Sequence, residues 1–357
     1  MIRLEPRLQP SRALAFLAPV AAVVVTALAG LILFWILGKD PARALYLFFL
    51  APLLDAWSLS EIAVKAIPLV LIATGLAFGF RAGVWNIGAE GQYTIGALAG
   101  GATALAFYDI TGVWLLPLMA LAGMLGGMAY ASIAAVLKTR LNANEILVTL
   151  MLTYVATLFL SILVHGPLRD PDGFNFPESR LFHDAATLPI LIEDTRVHIG
   201  LAVMLVVVIG AWLAHKRHVI GFAAKVTGQA PRAARFAGFL EKRMIWSALL
   251  LSGGLAGLAG MLEVAGPLGQ LTPAVPVGYG FTAIIVAFLG RLHPIGVLLA
   301  GFVMALTYIG GETAQIEMNL PNAVTGVFQG MFLFALLSLD VLARYRIRAA
   351  RPAAGRT

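Results

Sequence analysis

Apolar residues in this chain come in long unbroken blocks cut by short polar stretches, and not in the one-sided stripes of a surface helix. Blocks such as 14–37, 199–213 and 245–262 carry almost no charge, and about twenty such residues cross the hydrocarbon core of a bilayer. The pattern predicts an all-α integral membrane protein of about ten transmembrane helices, at 14–37, 62–80, 87–107, 115–137, 144–165, 198–214, 244–265, 278–290, 295–312 and 322–341. The eighth segment is short for a crossing and is expected to be tilted, broken or partly re-entrant. Residues 1–13 precede this membrane domain of 14–341, and 342–357 form a basic tail.

Composition agrees with the pattern, since 60% of residues are hydrophobic, 12% are charged and the mean hydropathy is +0.89. A soluble domain of ordinary composition is about one quarter charged. The net charge of +7 suggests nucleic acid only until the basic residues are placed. With the N-terminus and its Arg3, Arg7 and Arg12 in the cytoplasm, alternate loops collect Arg81, Lys138, Arg140, the run from Lys216 to Arg243, Arg291 and the tail, or 19 of 25 basic residues on one side. Most acids, including Asp170, Asp172, Glu178, Asp184, Glu193 and Asp194, then fall on the other side. That asymmetry is the positive-inside distribution, and it puts both termini in the cytoplasm. The first segment is longer than the apolar region of a signal peptide and lacks a small-residue cleavage site, so it reads as a retained helix. Cysteine is absent, which excludes disulfides and thiolate metal sites.

Glycine spacings at Gly96/Gly100, Gly123/Gly127 and Gly253/Gly257 suit close helix packing in a bilayer, where small residues let backbones approach. Two hydrophilic stretches interrupt the helical pattern. The outer one, 166–197, is broken by Pro167, Pro171, Gly173, Pro177 and Pro189 and reads as an irregular exposed loop. The inner one, 215–243, contains a segment with Pro231 placed for the first helical position and Gly238 placed just past the end, so 231–237 reads as a two-turn helix.

Three motifs stand in order along the chain: Phe80-Arg-Ala-Gly-Val-Trp-Asn-Ile-Gly-Ala-Glu-Gly-Gln92, Asn144-Glu-Ile-Leu-Val-Thr-Leu-Met-Leu-Thr-Tyr154 and Gly228-Gln-Ala-Pro-Arg-Ala-Ala-Arg-Phe-Ala-Gly238. From about residue 60 to 340 the chain resembles the permease subunits of bacterial ABC importers of the branched-chain amino acid and ribose type. The first two motifs are most similar to those of the nucleoside and simple-sugar branch. The resemblance implies alternating access in the bacterial inner membrane, with Gly228, Pro231, Arg232, Ala233, Ala234, Arg235 and Gly238 forming a coupling helix for a separate ABC ATPase. It also implies a second permease subunit and a periplasmic or lipoprotein substrate-binding protein. This chain carries no cofactor of its own, because ATP and magnesium belong to the ATPase. Its single Gly-Lys pair, Gly38-Lys39, is followed by Asp40 and forms no P-loop.

Polar residues inside the spans are the candidates for the translocation pathway. Asn86 is placed to cap the third span, with Glu90 in the first turn where a carboxylate is stabilised. Asn142 and Glu145 have capping-box spacing. Lys65 and Glu263 lie near the outer helix ends and are expected to reach the interface separately. A nucleoside needs neutral hydrogen-bonding groups and an aromatic surface, which Thr149, Thr153 and Tyr154 offer within one helix, joined by Gln92, Thr282 and Gln329. The chain lacks the zinc-protease and nucleophile-elbow motifs, and paired charges at mid-span are not evident. Those absences weigh against an enzyme and against the alternative of an ion-coupled transporter; transport of a branched-chain amino acid is the other alternative.

Overall fold

The computed structural model describes residues 2–6, 12–110, 112–321 and 323–349 and divides into two compact units, residues 1–55 with 306–357 and residues 56–305. Among the described residues six helices are long and apolar enough to cross a membrane, and there are further apolar stretches of 10–17 residues.

In the first unit, α1 (Arg12–Ile36) packs on α14 (Ala323–Arg344). The stretch after α1, between the first two expected spans, is helical. Asp40 caps α2 (Pro41–Leu45) by accepting from Ala42 N at 2.9 Å, with Pro41 opening the helix, and a π turn (Tyr46–Leu50) leads into α3 (Ala51–Leu54). Phe34, Phe48 and Phe328 stack at centroid separations of 5.0–6.4 Å and form the centre of this unit. The chain ends depart from an all-α fold: β1 (Ile2–Pro6) pairs antiparallel with β2 (Tyr345–Ala349).

The second unit contains α4 (Ala56–Arg81), α5 (Ala89–Ala106), α6 (Leu115–Leu141), α7 (Glu145–His165), α8 (Gly200–Arg217), α9 (Val219–Gln229), α10 (Pro231–Phe236), α11 (Glu241–Glu263) with its π-turn extension to Leu268, α12 (Tyr279–Leu289) and the first part of α13 (Pro294–Met318). Helix α5 is not among the six long apolar ones, because Glu90, Gln92 and four glycines dilute its hydropathy. It tolerates them because protein surrounds it: Glu90, Gln92, Tyr93 and Thr94 are all buried.

Glycine makes that burial possible. A Cβ on Gly96 would meet the Gly257 backbone at 2.1 Å, one on Gly257 would meet the Gly123 carbonyl at 2.2 Å, and one on Gly127 would meet the Gly253 carbonyl at 2.1 Å. The three small-residue spacings therefore lie on one seam joining α5, α6 and α11, where backbones touch directly.

Helix α12 accounts for the short eighth segment. Eleven residues rise only about 17 Å, against a core of about 30 Å. The Lys65 ammonium lies over the Tyr279 ring at 5.7 Å, and Phe288 stacks on Phe80 at 5.2 Å. Since Lys65 and Phe80 are fifteen positions apart on α4, α12 runs beside the Arg81 end of α4 and starts partway along it. Its N-terminus is therefore buried among helices.

Candidate functional site: a polar clasp and a projecting hairpin

The motif after α4 makes a turn and an extended run before α5 begins. Gly83 takes φ +76°, and Val84 donates to the Gly79 carbonyl at 2.9 Å. Trp85 folds back on Phe80 at 5.0 Å and on Phe288 at 5.9 Å. Asn86 is not the N-cap of α5, which is Gly88. Its side chain instead accepts from Gly88 N at 3.1 Å, donates to Gln92 Oε1 at 2.8 Å and to Ser252 Oγ at 2.9 Å, and accepts from Gln92 Nε2 at 3.2 Å. Two amides and a hydroxyl thus tie the run to α5 and α11 with every Asn86 donor used. Neutral bonds of this kind each contribute about 0.5–1.5 kcal/mol.

Four residues later, Glu90 reaches across to α12. Its Oε1 accepts from Gly278 N at 2.7 Å and its Oε2 from Gly280 N at 2.5 Å. The first amides of a helix have no internal partner, and a buried start needs an acceptor brought to it. Gly278 caps α12 at φ +93°, a conformation that side chains disfavour, and a Cβ on Gly280 would meet Glu90 N at 2.2 Å. The sequence Gly278-Tyr-Gly280 is therefore the counterpart of Glu90.

Tyr93 and Tyr279 meet edge to face at 6.0 Å beside this clasp. Beyond them Lys65 and Glu263 belong to one cluster and do not reach an interface separately: Glu263 lies in the field of Lys65 and Arg196, beside Tyr279. Arg196 Nε donates to Glu61 Oε1 at 2.9 Å, and its second nitrogen contacts the other oxygen. Glu61 is 5% exposed.

Helix α7 closes the clasp from the other side. The Thr149 hydroxyl accepts from Ile87 N at 3.1 Å and donates to the Glu145 carbonyl at 2.6 Å. Cβ atoms on Gly88 and Gly91 would collide with the backbones of Thr149 and Thr153, at 2.4 and 2.8 Å. These threonines are buried against α5, whereas Tyr154 is 60% exposed on another face, so the three do not share one wall. The capping spacing at Asn142 is also corrected. Asn142 is the left-handed C-cap of α6 at φ 52°, Asn144 caps α7, and Glu145 pairs with Lys138 at 2.8 Å. Thr282 is buried on α12, and Gln329 is buried in the other unit.

The 215–243 stretch contains one more helix than expected. Ala223 and Ala224 of α9 sit in an apolar cluster with Ala82, Val84, Ala134, Ala135 and Ile245. A Cβ on Gly228 would meet the Arg81 carbonyl at 2.1 Å, so α9 presses on the turn that opens the motif. Helix α10 then projects, starting at Pro231 and ending at Phe236, with Gly238 at φ +83° turning the chain just past it. Of its residues only Ala234 is buried, and Phe236 is 95% exposed.

The 166–197 stretch is irregular, as its prolines require, but it is tied down. Ser179 N and Phe182 N donate to the carbonyls of Leu271 and Gly269 at 2.9 and 2.8 Å, and Leu188 N donates to Ala265 O at 2.8 Å. Phe174 and Phe176 on it are 94% and 62% exposed.

Residues that the sequence reading missed are Ser252, Gly278, Gly280, Tyr93, Tyr279, Glu61, Arg196 and Phe236. Gly278-Tyr-Gly280 carried a signal, since two glycines at a helix start mark a backbone that something approaches closely.

The model of the family described as "Branched-chain amino acid transport system / permease component" matches residues 58–337. A glucose ABC transporter permease protein of Haloferax volcanii is 35% identical over 97% of this chain and 93% of its own length. A guanosine ABC transporter permease protein of Bacillus subtilis is 28% identical over 93% of this chain and 94% of its own. A nucleoside ABC transporter permease protein of Lactococcus lactis is 26% identical over 89% of each. No solved structure matches. With its multiple membrane helices and three motifs in order, the chain belongs to this family of transport-system permease components.

Proposed function

We propose that the chain is the translocating subunit of an ATP-driven importer in the cytoplasmic membrane, crossing it ten times with both termini inside, and that its cargo is a nucleoside or simple sugar. The observation that carries this reading is mechanical continuity. Helix α10 stands out from the protein, α9 beneath it presses Gly228 on the Arg81 carbonyl, and the turn at Arg81 leads within a few residues to Asn86 and Glu90, which hold α11 and α12. A pull on α10 thus reaches the buried start of α12. No substrate bond is made or broken, and the work comes from ATP and magnesium held by a separate ATPase that grips Gly228 to Gly238.

In this scheme the pathway runs beside the clasp. Asn86, Gln92, Thr149, Thr153 and Thr282 are buried, and the first four are hydrogen-bonded within the protein, so they frame the pathway wall in its resting state, and Glu90 governs the packing of α12. Tyr154 on another face of α7 and Gln329 in the other unit stand outside this clasp. A substrate-binding protein docks on the tied loops bearing Phe174 and Phe176, and a second permease subunit completes the pore. Relatives named for glucose, guanosine and nucleosides support the cargo class.

The charged cluster of Glu61, Lys65, Arg196 and Glu263 is the feature that an ion-coupled carrier would use, but Arg196 is engaged in an ion pair with Glu61, and Glu263 lies in the field of Lys65 and Arg196. Reconstitution decides between the two. The importer requires the ATPase and ATP for uptake of guanosine or glucose into vesicles, and uptake by this chain alone under an ion gradient overturns it.

A further inference from the structure

A second binding feature lies at the Arg81 end of α4, away from the clasp. A cavity of about 310 Å³ opens between α4, α8, α9 and α11, with walls that include Thr74, Phe78, Gly210, Leu251 and Leu255. Arg81 and His215 close one end of it and also line a wider basin of about 470 Å³ shared with Lys216, Arg217, His218 and Lys225. Among the described residues no acidic side chain borders either space. Thr74 precedes Arg81 by two turns of α4, so the apolar slot extends roughly 10 Å from the basic mouth along the helix. The slot is open at its side, where Leu251 is 45% exposed and a Cβ on Gly210 would meet nothing within 4 Å.

We propose that slot and basin together bind one anionic phospholipid, its phosphate among the cations and the upper part of an acyl chain along the slot. A free phosphate or nucleotide would use the basin and leave the slot empty, and a neutral lipid would use the slot and leave the charge unmatched. The Lys216 ammonium stands over the Trp212 ring at 5.2 Å, the pairing of amphipathic side chains found at headgroup level. Basic pockets between membrane helices on the cytoplasmic side favour anionic headgroups. Gly221 and Lys225 belong to α9, so the bound lipid fastens the base of the hairpin that carries α10. The inference rests on the membrane-spanning reading and its proposed orientation and is independent of cargo and ATPase.

The test uses the full-length chain purified in detergent, with bound lipid read by native mass spectrometry and protection read by thermal unfolding. Phosphatidylglycerol is expected to be retained over phosphatidylcholine, and inorganic phosphate to give no protection. Gly210→Leu fills the slot from a position with open space, and Lys216→Gln with Lys225→Gln removes two exposed charges. Each lysine is expected to be worth about fivefold in retention of phosphatidylglycerol. Equal retention of the two lipids, protection by phosphate equal to that by phosphatidylglycerol, or wild-type retention in both variants would overturn the proposal. The comparison of lipids on the unaltered chain stands even where a variant folds poorly.

Discussion

Glu90 and Gly280 lie 190 positions apart and are joined by a hydrogen bond of 2.5 Å, in which a carboxylate at the start of α5 accepts the amide at the start of α12. With Gly278 as the second donor, one side chain caps a helix from another part of the chain. A buried helix start left without an acceptor loses the net value of its hydrogen bonds and bears the desolvation of each amide.

Glu90→Gln retains the shape but leaves one oxygen for two donors and adds two amide hydrogens beside them. The variant is expected to lose about 1–3 kcal/mol of stability, with uptake reduced more than the amount of protein in the membrane. Thermal unfolding in detergent and transport in vesicles check the two parts separately.

Gly257→Ala is expected to destabilise by about 1–3 kcal/mol, because its Cβ would meet the Gly123 carbonyl at 2.2 Å and backbone must move. Gly210→Ala faces open space and is expected to be neutral or to stabilise by up to about 1 kcal/mol through helix propensity. Unfolding temperatures of the pair, measured side by side, separate close packing from a general intolerance of added methyl groups.

Arg196→Ala strips the partner from a carboxylate that is 5% exposed. The arginine side chain is itself 50% exposed, so the loss is expected to fall below the buried-pair range, at about 1–3 kcal/mol. The double variant Glu61→Gln with Arg196→Ala should recover most of it, which a thermal double-mutant cycle with the two single variants would register.

Phe236→Ser should leave the thermal stability of the isolated chain unchanged, since the ring is 95% exposed and packs on nothing. If the ring anchors the ATPase, its loss is expected to weaken association by about 2 kcal/mol, or some thirtyfold. Co-purification with the ATPase measures this.

Much of the fold was legible because the bilayer imposes long apolar runs, and long runs leave little ambiguity about helices. The glycine seam was legible for the same reason: small residues at Gly96, Gly127 and Gly257 have one main use between membrane helices. Helix α10 was legible from its two ends, Pro231 and Gly238. What escaped were relations between distant segments. Asn86 has the composition of a cap, yet tertiary contacts with Gln92 and Ser252 claim its side chain, and the cap falls to Gly88. Asn142 and Glu145 have the right spacing, but a left-handed residue between two helices places Asn144 at the cap. Tyr154 follows Thr153 in sequence and points elsewhere, because adjacent residues on a helix are about 100° apart. Lys65 and Glu263 were each read alone, and only the fold brings them to Tyr279 and Arg196.

The absence of cysteine makes the most direct measurement simple. Arg232→Cys places one thiol on the exposed hairpin, to be challenged with a membrane-impermeant maleimide in vesicles of both orientations. A permease whose α10 faces its ATPase is labelled only in inside-out vesicles, with protection when the ATPase is bound. Labelling from the outside of intact cells would contradict the orientation and the coupling together.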